Sequence, residues 1–77
     1  MNVGDYVFVT RHGDIRIVPQ SAGNRDKDEL AGSGEQFVGV IQELRPNPED
    51  TIVELEPPAP NTSPGRATLH SLRQAYR

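Results

Sequence analysis

The sequence predicts an all-β domain: a small barrel of five short strands, with a long loop after the second strand and a short 3₁₀ turn or helix near the C-terminus. Three observations predict it. Val and Ile supply eleven of the 18 residues that are Ile, Val, Leu or Phe, and β-branched side chains favour strands over helices. The apolar residues come in short blocks, with most of the seven Gly and seven Pro between the blocks, which is the layout of strands and turns. The chain has 77 residues, enough for one domain over 1–77. A sheet this small protects its edges best by closing on itself.

Asp5–Arg11 (Asp-Tyr-Val-Phe-Val-Thr-Arg) is β-branched and aromatic, with Gly4 before it and His12-Gly13-Asp14 after it. It predicts a first strand. Ile15–Val18 predicts a second, with Ile15 and Ile17 on one face and Arg16 and Val18 on the other. The short connection predicts a hairpin, in which Gly13 takes the positive φ that the turn requires. Pro19 lacks an amide, so it stops the ladder or marks a sheet edge.

Residues 20–36 form the longest connection, with three Gly, a dense charge cluster and one large apolar residue, Leu30. A one-turn helix over Asp26–Ala31 fits within it. Phe37–Arg45 is the strongest strand in the sequence. Gly39 in its middle predicts a bend or a close backbone approach. Pro46–Asp50 is a turn by composition. Thr51–Glu56 follows as a strand, with Val53 and Leu55 inward, Glu54 and Glu56 outward, and Ile52 as an apolar exception on the outer face. Pro57–Gly65 holds four Pro and no charge and predicts an extended surface loop. Two readings fit the C-terminus. Leu69, Leu72 and Tyr76 have helical spacing. The same stretch also fits a strand over Arg66–Leu69, a 3₁₀ turn over His70–Arg73 and a last strand over Gln74–Arg77.

Three pieces of the chain resemble SH3-like barrels of the KOW and Tudor groups. Val3-Gly4-Asp5-Tyr6-Val7-Phe8-Val9 resembles their opening strand. Phe37-Val38-Gly39-Val40-Ile41 resembles their central strand. Leu69-His70-Ser71-Leu72-Arg73 resembles their closing segment, where a 3₁₀ turn precedes a final short strand. The resemblance implies a fold rather than a function.

Composition narrows the function. The chain is too short for a dinucleotide-binding domain or a TIM barrel. With no Cys it has no thiolate nucleophile or thiolate metal site. No apolar run approaches the about 18 residues that span a membrane, so no membrane partner is expected. Met-Asn-Val-Gly-Asp at the N-terminus has neither the basic nor the apolar part of a secretory leader, and a cytoplasmic location is the expectation.

The net charge of −3 is unevenly placed. Residues 26–56 carry nine acids and two bases, while residues 66–77 carry three Arg and no acid. Non-specific nucleic-acid binding needs a net basic footprint, so the balance disfavours it. A local patch of Arg11, Arg16, Arg66, Arg73 and Arg77 would rescue that reading.

Candidate chemical sites are few. Asn24, Asp26, Asp28 and Glu35 fall at positions 1, 3, 5 and 12 of an EF-hand-like calcium loop. Glu29 stands where that loop needs Gly, Ala31 where it needs a β-branched residue, and strands flank it, so no metal is expected. His12 and Asp14 share a turn, but His70 is the only other His, too few for a zinc site. His70-Ser71 has no surrounding nucleophile motif. Gly32-Ser33-Gly34 lacks the Lys and helix of a phosphate loop. Neither catalytic residues nor a cofactor is expected.

Among the aromatics, Phe8 and Phe37 are assigned to the core, while Tyr6 and Tyr76 could line a groove. The favoured function is a non-catalytic module or accessory subunit that binds another protein. Tyr6, Arg16, Asp26, Asp28, Glu29, Arg66, Arg73 and Tyr76 are its candidate contact residues. A nucleic-acid-binding barrel is one alternative. An oligomeric enzyme with a site on a symmetry axis is the other, and a homo-oligomer is compatible with the short chain. Type II dihydrofolate reductases are similar in length and have an SH3-like barrel. This chain lacks their Val-Gln-Ile-Tyr strand motif, its nearest late strand being Thr51–Leu55, and their activity is not carried over.

Overall fold

The computed structural model describes residues 1–20 and 26–76. Its elements are β1 (Tyr6–Val9), β2 (Ile15–Val18), α1 (Lys27–Leu30), β3 (Gln36–Glu43), a 3₁₀ turn (Pro48–Asp50), β4 (Ile52–Leu55), β5 (Arg66–Thr68) and α2 (Leu69–Ala75). All five strands lie in one antiparallel sheet, in the order β2-β1-β3-β4-β5.

The first strand ends earlier than the sequence suggests because Thr10 begins the turn. Its hydroxyl accepts the amides of His12 and Asp14, and its carbonyl accepts the amide of Gly13. Gly13 has φ 87°, the left-handed conformation expected of it.

β3 carries two irregularities. The first falls where Val7 pairs with Gly39 but Phe8 pairs with Phe37. The extra residue, Val38, turns into the same core as Val7 and Val9, as a bulge allows. Gly39 sits where β1, β3 and β4 crowd together. A Cβ there would lie 2.2 Å from the Glu54 carbonyl oxygen, so the close backbone approach expected at this position is present. The second irregularity lies between Ile41 and Glu43.

The two faces of the sheet bury different things. One face holds the aliphatic core: Val7, Val9, Val38, Ile41 and Val53, closed over by Leu69 and Leu72 of α2, with Ile15, Ile17, Leu55 and Ala67 at its margin. Those two α2 residues are three apart and so share one helical face. On the other face Tyr6 and Phe8 pair in register with Val18 and Arg16. Phe8 is fully buried there, but it stands outside the aliphatic cluster.

The C-terminus combines parts of both sequence readings. Arg66–Thr68 is a strand, and a helix follows at once. Thr68 and Ser71 form a capping box, each side chain accepting the other's amide, which satisfies the first free amides of the helix. Residues 74 and 75, assigned by one reading to a last strand, are helical instead. The closed barrel expected from the sequence is therefore not formed in hydrogen bonds. β2 and β5 are the two edges of an open sheet, because the segment that would have joined them is wound into α2. Among the described residues no helix is long and apolar enough to cross a membrane.

Candidate interaction surface

The most organised surface lies on the aromatic face. Tyr6, Phe8 and Phe37 meet edge to face, with ring centroids 5.7–6.4 Å apart, the geometry that aromatic quadrupoles favour. Two cations lie over these rings. Arg16 Cζ is 5.6 Å from the centre of Phe8, and Lys27 Nζ is 4.6 Å from the centre of Phe37, both within cation–π range.

Each cation is also tied to an acid, and together they fasten residues 26–35 to the sheet. Arg16 donates through Nε to Glu35 Oε2 (2.6 Å), through Nη2 to Glu35 Oε1, and through Nη2 to the Leu30 carbonyl (3.0 Å). Glu35 Oε1 also accepts the Gly32 amide. Hydrogen bonding from Arg16 holds the Glu35 carboxyl below its ordinary value, although partial burial pushes the other way, and the Gly32 amide adds to the lowering. Lys27 Nζ pairs with Glu56 Oε1 at 2.6 Å, and this hydrogen bond raises the Lys27 ammonium above its ordinary value.

With both cations engaged, the acids of α1 are left facing water. Asp26 caps the helix, its carboxylate accepting the Asp28 amide at 3.3 Å. Asp26, Asp28 and Glu29 are all exposed, and none forms an ion pair with a described residue.

The eight candidate contact residues therefore separate into three places. Tyr6, Arg16, Asp26, Asp28 and Glu29 belong to the aromatic face and the segment fastened to it. The Tyr6 hydroxyl accepts from Gln20 Nε2 at 3.3 Å. Arg66 lies at the other end of the sheet on β5, with Glu54 as its cross-strand neighbour. Arg73 and Tyr76 lie on or beside α2. Arg73 Nε donates to both carboxylate oxygens of Glu49, at 3.0 and 3.1 Å, joining α2 to the 3₁₀ turn. Tyr76 ends α2, with its carbonyl against Gly13: a Cβ at Gly13 would lie 2.2 Å from that oxygen. The basic patch is not assembled, since Arg16 and Arg73 are spent on internal acids and Arg66 stands apart. Arg77 lies outside the described residues.

The calcium-loop pattern also comes apart. Asn24 lies outside the described residues, Asp26 is a helix cap and Glu35 is committed to Arg16. Among the described residues no group of three or more His, Asp or Glu could hold a metal ion. His12 Nε2 accepts from Arg11 Nε at 3.4 Å. The Ser71 hydroxyl is occupied by the capping box.

Lys27, Glu35, Phe37 and Glu56 belong to this surface and were not among the eight candidates. One signal pointed to part of it. In the predicted hairpin Phe8 and Arg16 fall opposite each other, so a ring and a guanidinium share one face. The Arg16–Glu35 and Lys27–Glu56 pairs left no local trace. Comparisons with protein families, curated proteins and solved structures return no match for this chain.

Proposed function

We propose that this chain is a small, non-catalytic interaction module, an SH3-like sheet open at one seam, which binds a basic segment of another protein through α1. The observation that carries the reading is the acidic turn Asp26-Lys27-Asp28-Glu29. Its carboxylates are exposed, while Arg16–Glu35 and Lys27–Glu56 fix its position. An anchored turn loses less conformational freedom on binding than a free loop would. Its negative field steers a basic partner toward the site. The half-buried Phe37 beside Lys27 supplies apolar surface next to the charge. The SH3-like assignment draws on the strand resemblances and on the short helix that follows β5. The nucleic-acid reading has less support, because two Arg of its patch are neutralised internally.

The test is crosslinking in native lysate with a carboxylate-reactive reagent, followed by pulldown with the Asp28→Asn/Glu29→Gln double variant. A partner crosslinked at residues 26–29, lost in the variant and at raised salt, is the expected result. No partner, or capture indifferent to both changes, would refute the reading.

A further inference from the structure

The two edges of the sheet are not alike. At β5, Leu55 donates to the Gly65 carbonyl and Leu69 donates to the Thr51 carbonyl. The alternation of an antiparallel ladder then turns the amide and carbonyl of Thr68 away from β4. Both are taken by the Ser71 side chain, at 3.1 and 2.9 Å. The cap of α2 thus closes that end of the edge.

At β2 the same alternation gives the opposite result. Thr10 donates to the Asp14 carbonyl at 2.8 Å, so Arg16 and Val18 turn their amides and carbonyls toward β1. Ile15 and Ile17 turn theirs outward, where no described residue bonds to them. Exposed edges are ordinarily guarded by charge, proline or a bulge. The irregularities of this sheet are in β3, not β2. The only charge on β2 is Arg16, and its guanidinium is drawn over Phe8 toward Glu35 and Leu30. Pro19 follows the strand and does not interrupt it.

We propose that the outer edge of β2 pairs with β2 of a second copy of this chain, antiparallel about a two-fold axis. The strand is its own complement. With Ile17 opposite Ile17, each donates to the other, and each Ile15 amide reaches the carbonyl of the other chain's Pro19, about four hydrogen bonds in all. The missing Pro19 amide then costs only one donor on each side. This register sets Arg16 against Val18. The neighbouring register sets Arg16 against Arg16, and directly opposed like charges destabilise a pair. The Glu35 carboxylate on each guanidinium reduces this repulsion, and the Arg16–Val18 register is the one that avoids it. Ile15 and Ile17 are only partly buried at the margin of the core, and the pairing covers them while making one continuous sheet of two. The contact is isologous, the commonest form of self-association. Four residues a side make an interface below about 1,200 Å², the range of weak, reversible complexes.

The test is sedimentation equilibrium of the full chain from about 10 µM to about 1 mM, where a weak dimer becomes populated. The weight-average mass should rise toward that of a dimer. Ile17→Pro removes an outward amide and leaves the Arg16 and Val18 amides to β1. It should weaken association at least about tenfold with an unchanged circular dichroism spectrum. Because that variant could disturb the hairpin, amide hydrogen exchange of the unaltered chain provides a second readout. The Ile15 and Ile17 amides should become protected as concentration rises, while the Arg66 amide should not. A chain that stays monomeric throughout would overturn the proposal and leave the edge to a strand from another protein. So would a dimer in which the Ile15 and Ile17 amides exchange freely.

Discussion

Replacing Gly39 by Ala tests whether the sheet is folded as tightly at β3 as the structure has it. The added Cβ would lie 2.2 Å from the Glu54 carbonyl oxygen, 3.0 Å from the Glu54 carbonyl carbon and 3.0 Å from Leu55 Cα. All three are backbone atoms, so no side chain can rotate away. Relief requires β3 and β4 to separate locally by about 1 Å, which loosens the ladder around Val53 and Ile41, two fully buried core residues. Overpacking in an interior costs about 1–3 kcal/mol, and immovable neighbours place this case at the upper end. A domain of this size is stable by only about 4–12 kcal/mol, and each kcal/mol shifts the melting temperature by about 4–8 °C. Urea unfolding should show a lower midpoint with an unchanged slope, and thermal unfolding a fall of about 10–20 °C. Gly65→Ala is the control. Its Cβ would meet only Leu55 Cδ1 at 3.7 Å, an ordinary contact, and its effect should be neutral or slightly stabilising. If Gly39→Ala unfolds within about 0.5 kcal/mol of the parent, or if Gly65→Ala loses as much, the crowding at β3 is not real.

Further outcomes follow from individual side chains. Thr51 Oγ1 is buried without a hydrogen-bond partner among the described residues, so Thr51→Val should be neutral or raise stability by up to about 1 kcal/mol in urea unfolding. Leu69 is 1% exposed in the aliphatic core, and Leu69→Ala should cost about 2–5 kcal/mol, with loss of α2 signal in circular dichroism. The half-exposed Arg73–Glu49 pair should contribute no more than about 1 kcal/mol, read by a double-mutant cycle with Arg73→Met and Glu49→Gln. The Glu35 carboxyl sits below its ordinary value because of Arg16. Its contribution is present above the unfolded-state carboxyl value and is lost as pH falls through the lower folded-state value. Acid titration of the urea midpoint should therefore decline over that range, and more shallowly in Glu35→Gln.

How far the sequence carried depends on whether neighbours along the chain or across space decided the outcome. The strands were legible because β-branched blocks and their turns are local. The Gly13 turn and the crowding at Gly39 were legible for the same reason. The end of the chain was ambiguous because Leu69, Leu72 and Tyr76 have helical spacing, while the same stretch also fits a strand, a 3₁₀ turn and a last strand. The deciding interaction, Thr68 with Ser71, has Ser where the usual capping pattern carries Glu or Gln. The sequence places Phe8 inside, where it lies, but alternation alone does not say that the sheet is covered on both faces. The roles of Arg16, Glu35, Lys27 and Glu56 were hidden for a different reason. Their pairings span 19 and 29 residues and form only when the long loop lies across the sheet.

Those pairings change what the charge distribution means. Read along the chain, the acidic centre and basic end suggested a two-signed surface. In the fold, four bases and four acids of the described residues are matched with each other. Only Arg11 and Arg66 then remain among the described Lys and Arg, against seven Asp and Glu. Pairing thus removes most of the positive charge from view and leaves an excess of acid, three of whose members sit together on α1 and its N-cap. A partner of the proposed kind would meet an acidic surface on a fixed turn, with a cation–π pair beside it. Added salt screens the exposed acids more than the hydrogen-bonded pairs that hold the turn in place. Binding should therefore weaken at salt concentrations that leave the fold intact, and parallel titrations of capture and of circular dichroism would separate the two.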